Sequence, residues 1–150
     1  MNNSIEKTIE LKAPQSRVWR ALTDYREFGQ WFCVILDGPF EANQTNTGTL
    51  NVPGYERLQW RIQVETIQPE SLFSFRWNPY AVDPAVDYSS ETPTLVEFKL
   101  ESSESGTRLT VVESGFEGLP EHRKLEAFRM NEGGWGAQMK NIERYVTDNP

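Results

Sequence analysis

Apolar residues recur in alternating steps of three and four along the last stretch of the chain, Glu121 to Val146. The series is Leu125, Phe128, Glu132, Trp135, Met139, Ile142 and Val146. This spacing predicts one face of an α-helix of about seven turns. All but one of these positions are apolar, so the face needs a cover, and a sheet from the same chain supplies it. Glu132 interrupts the stripe, and Gly133, Gly134 and Gly136 crowd around Trp135. Each interior glycine costs a helix roughly 1 kcal/mol relative to alanine. The cluster predicts a kink, or the thin wall of a pocket between helix and sheet.

Upstream, the period changes to two. Ile5 to Lys12 alternates, with Ile5, Ile9 and Leu11 on the face expected to be buried, and reads as a first strand. Ala13-Pro14 ends it. Pro14 suits the first turn of a helix running to Leu22, with Val18, Trp19 and Leu22 at helical spacing. Thr23 and Asp24 can cap a second short helix through Phe28, with Gly29 at its end. The compact apolar run Trp31 to Leu36 reads as a strand, and Asp37-Gly38-Pro39 as a turn. A weak hairpin is expected around Asn46-Thr47-Gly48. Trp60 to Ile67 and Leu72 to Trp77 form a hairpin about Gln68-Pro69-Glu70-Ser71, with Phe73, Phe75 and Trp77 on one face. Asn78 to Pro93 is the longest irregular stretch, and loops of this length are often functional or mobile. Thr94 to Glu101 and Thr107 to Ser114 close the series, the latter carrying Glu113 in the inward phase of Leu109 and Val111.

The order is strand, two short helices, further strands joined by hairpins, and one long helix. It predicts an α+β, helix-grip architecture: a curved antiparallel sheet of about six to seven strands wrapped around the C-terminal helix. At 150 residues the chain is expected to be a single domain over 1–150. Apolar residues make up 37% and charged residues 25%, ordinary for a globular protein. No apolar run is long enough to span a membrane. The amino-terminal stretch lacks the basic start and apolar block of a signal peptide. Cys33 is the only cysteine, which rules out an internal disulfide and a thiolate metal cluster. These features point to the cytoplasm. A net charge of −7 opposes binding to nucleic acid or to anionic membranes.

Several motifs resemble the START-like superfamily, which shares the helix-grip fold of the birch-pollen allergens. Within it, the chain is similar to the family of the activator of heat-shock-protein-90 ATPase homologues. The residues that carry the likeness are Ala13-Pro14 with Val18-Trp19-Arg20-Ala21-Leu22-Thr23, then Trp31. They continue with Val64 to Pro69 and Leu72 to Trp77, Gly106 to Phe116, and Gly134-Trp135 in the last helix. The pieces are specific in combination and cover nearly the whole chain, but they are signatures of fold rather than of catalysis. The resemblance implies a space for an apolar small molecule between sheet and helix. Superfamily members include carriers, lipid binders, polyketide cyclases and co-chaperones, so fold alone does not settle function.

The candidate ligand contacts are Trp31, Trp60, Phe73, Phe75, Trp77, Phe98, Phe116, Phe128, Glu132, Trp135 and Met139. Bulky rings on both walls suit a flat or lipid-like ligand, and equally suit a core filled by its own side chains. Tyr55, Tyr80 and Tyr88 are placed to close the mouth. Glu132 or Glu113, if buried, would have its carboxyl pKa raised by desolvation and could move a proton; the alternatives are a mouth position or an ion pair to Arg61, Arg76 or Arg129. His122 reads as part of a solvated helix start, and Cys33 as a buried, inert thiol. No nucleophile, metal set or cofactor motif is evident, so no cofactor is expected. The residues favour a non-enzymatic binder of a small hydrophobic molecule. A cyclase or hydratase using a cavity carboxylate, and a module that stimulates a chaperone ATPase, are the alternatives.

Overall fold

The computed structural model describes residues 3–56 and 58–150; Met1 and Asn2 of the amino-terminal stretch, and Arg57, lie outside them. The elements follow in the order β1 (Ser4–Leu11), α1 (Gln15–Thr23), α2 (Tyr25–Phe32), β2 (Val34–Leu36), β3 (Thr45–Leu50) and β4 (Gln59–Gln68). They continue with β5 (Leu72–Trp77), β6 (Thr94–Ser103), β7 (Gly106–Ser114), a 3-10 turn (Phe116–Gly118) and α3 (Glu121–Asp148). The seven strands form one curved, open, antiparallel sheet in the order β1-β7-β6-β5-β4-β3-β2. This is the expected α+β helix-grip arrangement. At the β4–β5 pair the register slips between Val64 and Thr66, and the Thr66 amide donates to Ser74 Oγ at 3.2 Å. Such a bulge sharpens the local bend of a sheet. Among the described residues no helix is long and apolar enough to cross a membrane.

The first helices follow the local chemistry, with one difference. Asp24 caps α2 by accepting from the backbone amides of Arg26 and Glu27. The helix then runs past Gly29 to Phe32 and ends at Cys33, which adopts the left-handed conformation at φ 64°. Gly29 is needed for close approach: a Cβ there would lie 2.3 Å from the Val34 carbonyl oxygen. Trp31 is therefore on a helix rather than on a strand, and the strand is only Val34–Leu36. Cys33 is a partly exposed helix terminus rather than a buried strand residue.

The expected hairpin at Asn46-Thr47-Gly48 is one continuous strand, β3, paired on both sides. The Asn46 amide donates to the carbonyls of Gly38 and Pro39 instead of closing a turn of its own.

Helix α3 has the predicted length but a shifted face. Its buried residues are Ala127, Phe128, Trp135, Met139, Ile142 and Val146. Leu125 is 46% exposed and Glu132 is exposed. At about 100° per residue, Asn131 falls about 40° from Trp135 on one side, and Glu132 about 60° on the other. The helix turns Asn131 toward the sheet, and Glu132 goes to solvent. A Cβ on Gly133, Gly134 or Gly136 would meet nothing within 4 Å. The glycines neither break α3 nor let another element approach it.

Candidate functional site

Most of the predicted aromatic residues converge. Trp31 from α2, Trp60 from β4, Phe73, Phe75 and Trp77 from β5, Phe98 from β6 and Trp135 from α3 form one continuous set of rings. The Phe98 and Trp135 centroids are 5.6 Å apart and those of Trp77 and Trp135 5.7 Å apart, so sheet and helix touch through their rings. Phe73, Phe75 and Phe98 are fully buried. The space between sheet and helix is thus occupied by the chain's own side chains. Phe116 and Phe128 form a separate pair at 5.2 Å under the start of α3, and Met139 is buried farther along that helix.

Glu113 lies at the edge of this ring cluster and is fully buried. One carboxylate oxygen, Oε1, accepts from Asn131 Nδ2 at 2.9 Å and Trp135 Nε1 at 2.8 Å. The other, Oε2, accepts from Trp77 Nε1 at 2.8 Å and Thr94 Oγ1 at 2.5 Å. A carboxylate has about four lone-pair sites, and here each faces a donor. The four donors come from β5, β6 and α3, so Glu113 ties the helix to the centre of the sheet. Among the described residues no Lys or Arg pairs with it, so the ion-pair alternative is not the one found at Glu113. With its acceptor sites engaged, it has none left for a substrate proton.

Open space lies at the mouth of the fold, where the 78–93 loop arches over the edge of the aromatic cluster. This cleft measures about 530 Å³ and is floored by Phe32, Trp60 and Trp77, with Leu50 and Leu58 beside them. Tyr80 and Tyr88 of the loop line it, as expected; Tyr55, 47% exposed, does not. A smaller cleft of about 130 Å³ lies over Gly134, between Phe32, Trp77, Asn131, Trp135 and Gln138. Phe32 and Trp77 form a wall of both clefts. Gly134, with no side chain, leaves the smaller one open.

The loop is held by Arg123 in the first turn of α3. Its guanidinium grips the Glu91 carboxylate, with a shortest contact of 2.7 Å, and donates to the carbonyls of Tyr80 at 3.0 Å and Pro79 at 2.9 Å. It also lies over the Tyr88 ring at 4.7 Å. Tyr80 is held at φ 49°, a costly conformation for a residue with a side chain, and its carbonyl is one of the two that accept from Arg123. Both members of the Arg123–Glu91 pair are about nine-tenths buried, so removing either one would leave the other charge buried without its partner.

Sequence reasoning missed Phe32, Asn131 and Arg123. Asn131 was within reach of a closer phase analysis of α3. The Arg123–Glu91 pair left no local signal, because its partners meet only through the fold. His122 is exposed beside Arg123.

Comparison with known proteins agrees with this architecture. Among curated proteins none matches the sequence. Solved structures do. The protein MLL2253 from Mesorhizobium loti superimposes with a TM-score of 0.77 at 20% identity, over 98% of both chains. The Aha1 dimer from Colwellia psychrerythraea gives 0.68 at 17% identity, over 93% of this chain and 92% of that one. DynU16, from the dynemicin biosynthetic locus, gives 0.74 at 23% identity over 98% of this chain; this chain spans 48% of its length. At such identities these likenesses establish the fold. A family model described as Activator of Hsp90 ATPase homolog 1-like protein matches residues 12–147, from the end of β1 to the last turn of α3. The chain belongs to the Activator of Hsp90 ATPase homolog 1-like family.

Proposed function

We propose that this protein, acting as one domain over 1–150, binds a small, predominantly apolar molecule without transforming it. The ligand enters the mouth cleft and rests on Phe32, Trp60 and Trp77, under Tyr80 and Tyr88. The observation that carries this reading is the cleft itself. Its 530 Å³ is within the range typical of small-molecule sites, and its floor is aromatic beneath a tethered loop. The neighbouring rings Phe75, Phe98 and Trp135 set the shape of that floor without touching the ligand directly. The engaged acceptors of Glu113 weigh against the cyclase or hydratase alternative, and exposed Glu132 offers no sheltered proton-transfer group.

The test is a two-dimensional NMR titration of the isotope-labelled protein with 9-fluorenone, palmitate and cholesterol. Saturable shifts confined to Phe32, Trp60, Trp77, Tyr80 and Tyr88 for one of these classes are expected. A folded protein whose cleft resonances stay fixed throughout the panel would reject the cleft. The search would then move to a surface partner such as a chaperone.

A further inference from the structure

The smaller cleft, over Gly134, has a charge directly behind its wall. Three of the side chains that line it, Trp77, Asn131 and Trp135, direct N–H groups at Glu113, which is fully buried and does not itself line the cleft. Glu113 therefore lies one hydrogen-bonded layer behind the surface. Among the described residues no Lys or Arg pairs with it, and the residues lining the cleft carry no charge. Its negative charge reaches the cleft through rings rather than water, where charges are screened less than in solvent. The same arrangement fixes one polar atom. A carboxylate only accepts, so Asn131 must turn Nδ2 toward Glu113 and its carbonyl oxygen elsewhere. Oδ1 has no donor among the described residues. The buried side-chain atoms without a partner are Arg17 Nη1, Asn46 Oδ1, Trp60 Nε1 and Ser103 Oγ, so Asn131 Oδ1 is not sealed off and keeps open surface on a residue lining the cleft. The oxygen of Gln138, by contrast, is engaged by Asn141 at 3.1 Å. The rings supply the rest. The centroids of Phe32, Trp77 and Trp135 lie 5.7 to 6.1 Å apart, and the N–H edge of each indole, its positive rim, is spent on Glu113.

We propose that this smaller cleft binds the ammonium group of a small, free primary amine. One N–H donates to Asn131 Oδ1, the charge rests against the rings of Phe32, Trp77 and Trp135, and Glu113 behind them supplies the field. A cation within about 6 Å of an aromatic ring is attracted to it, to Trp most of all. The site is separate from the mouth cleft and does not depend on what occupies that cleft. Its volume of about 130 Å³ suits a compact body. A carboxylate would find both indole donors engaged and the Glu113 charge against it. An alcohol would reach the Asn131 oxygen but gain nothing from the charge. A quaternary ammonium would keep the charge and lose the bond to Asn131. The net charge of −7 favours encounter with a cation without choosing its place.

The experiment is an NMR titration at neutral pH, where cyclohexylamine is cationic. It is compared with cyclohexanol, cyclohexanecarboxylate and N,N,N-trimethylcyclohexylammonium. The probes are the Trp77 and Trp135 indole N–H and the Asn131 side-chain amide, with the Trp31 indole, bonded to the Ala21 carbonyl, as the control that stays fixed. Cyclohexylamine is expected to give saturable shifts at the three probes and to bind about tenfold more tightly than cyclohexanol. The quaternary compound should bind more weakly than the amine, and the carboxylate not at all. Gly134→Leu, at a position where a Cβ meets nothing within 4 Å, should leave the protein folded and abolish these shifts. Glu113→Gln should remove the preference for amine over alcohol. Equal binding of amine and alcohol, or any preference for the carboxylate, would overturn the proposal. So would shifts that never saturate and persist in Gly134→Leu, which would mark loose attraction to the acidic surface. Equal or tighter binding of the quaternary compound would overturn the bond to Asn131. Nα-acetyl-lysine methylamide carries the same group on a peptide; tighter binding of it than of cyclohexylamine would overturn the free amine as occupant in favour of a partner's lysine. If Glu113→Gln does not fold, the amine-to-alcohol ratio in the wild type and its loss in Gly134→Leu decide.

Discussion

Replacing Glu113 by Gln tests whether this carboxylate serves the fold or the chemistry. A glutamine keeps one oxygen and presents an amide at the other position. If the amide faces Thr94 and Trp77, the threonine hydroxyl can rotate to accept, but the Trp77 N–H loses its acceptor. If it faces Asn131 and Trp135, the asparagine amide can flip, but the Trp135 N–H is stranded. Either way one indole donor is orphaned in a buried setting, which costs about 1–3 kcal/mol. The two bonds to the remaining oxygen lose their charge assistance, at roughly 1 kcal/mol each, and relief from burying a charge offsets part of this. The expected loss is about 2–4 kcal/mol. For a chain of this size that corresponds to a fall in Tm of roughly 5–15 °C. Urea unfolding should show a lower midpoint with an unchanged slope. The N–H spectrum should show one of the Trp77 and Trp135 indole peaks moving upfield. A change under about 0.5 kcal/mol with both peaks in place would refute the four-donor account, since a whole lost acceptor is worth more than that. A more stable variant would instead mark a group held against stability for function.

Replacing Gly133, Gly134 and Gly136 by alanine, one at a time, should each stabilise the protein by about 0.5–1 kcal/mol, because the added Cβ meets open space; thermal unfolding reads this directly. Gly134→Ala should also narrow the smaller cleft, so weaker binding of any ligand reaching it would separate that site from the other two. Arg123→Met should release the 78–93 loop. Hydrogen exchange there is expected to accelerate at least about tenfold while the β6–β7 ladder stays protected, since loops open locally without global unfolding. Tyr145 has its phenol pKa raised, first by burial and then by its hydrogen bond to Glu27. A raised folded-state value adds stability that is complete below the unfolded value near 10 and is lost as pH climbs through the folded one. Tyr145→Phe should therefore lower stability at neutral pH and flatten the alkaline limb of the stability profile, which denaturant midpoints from pH 8 to 11 would reveal.

The strands were legible because one face of the sheet is buried, so Ile5 and Leu11, or Phe73 and Phe75, recur with period two. The long helix was legible from its length and its three-and-four spacing. Failures arose where local signals met tertiary constraints. The run Trp31 to Leu36 is too short for periodicity to separate helix from strand, and Cys33, rather than Gly29, stops α2. Asn46-Thr47-Gly48 has turn chemistry, but pairing on both sides keeps it extended. The inward phase of Glu113 was visible in β7, whereas its partners come from three other elements and could not be read from any one of them. The same holds for the arginine latch on the loop. The filling of the sheet–helix space depends on ring volumes meeting across the fold, which a residue pattern does not specify.

The central claim is that a ligand binds at the mouth and not in the ring-filled interior. Intermolecular NOEs between 9-fluorenone and the labelled protein test this most directly. The account predicts contacts from the ligand's ring protons to Phe32, Trp60, Trp77 and Tyr80. Contacts to Phe73, Phe98 and Met139 instead would show that the interior opens to admit the ligand, and would contradict it.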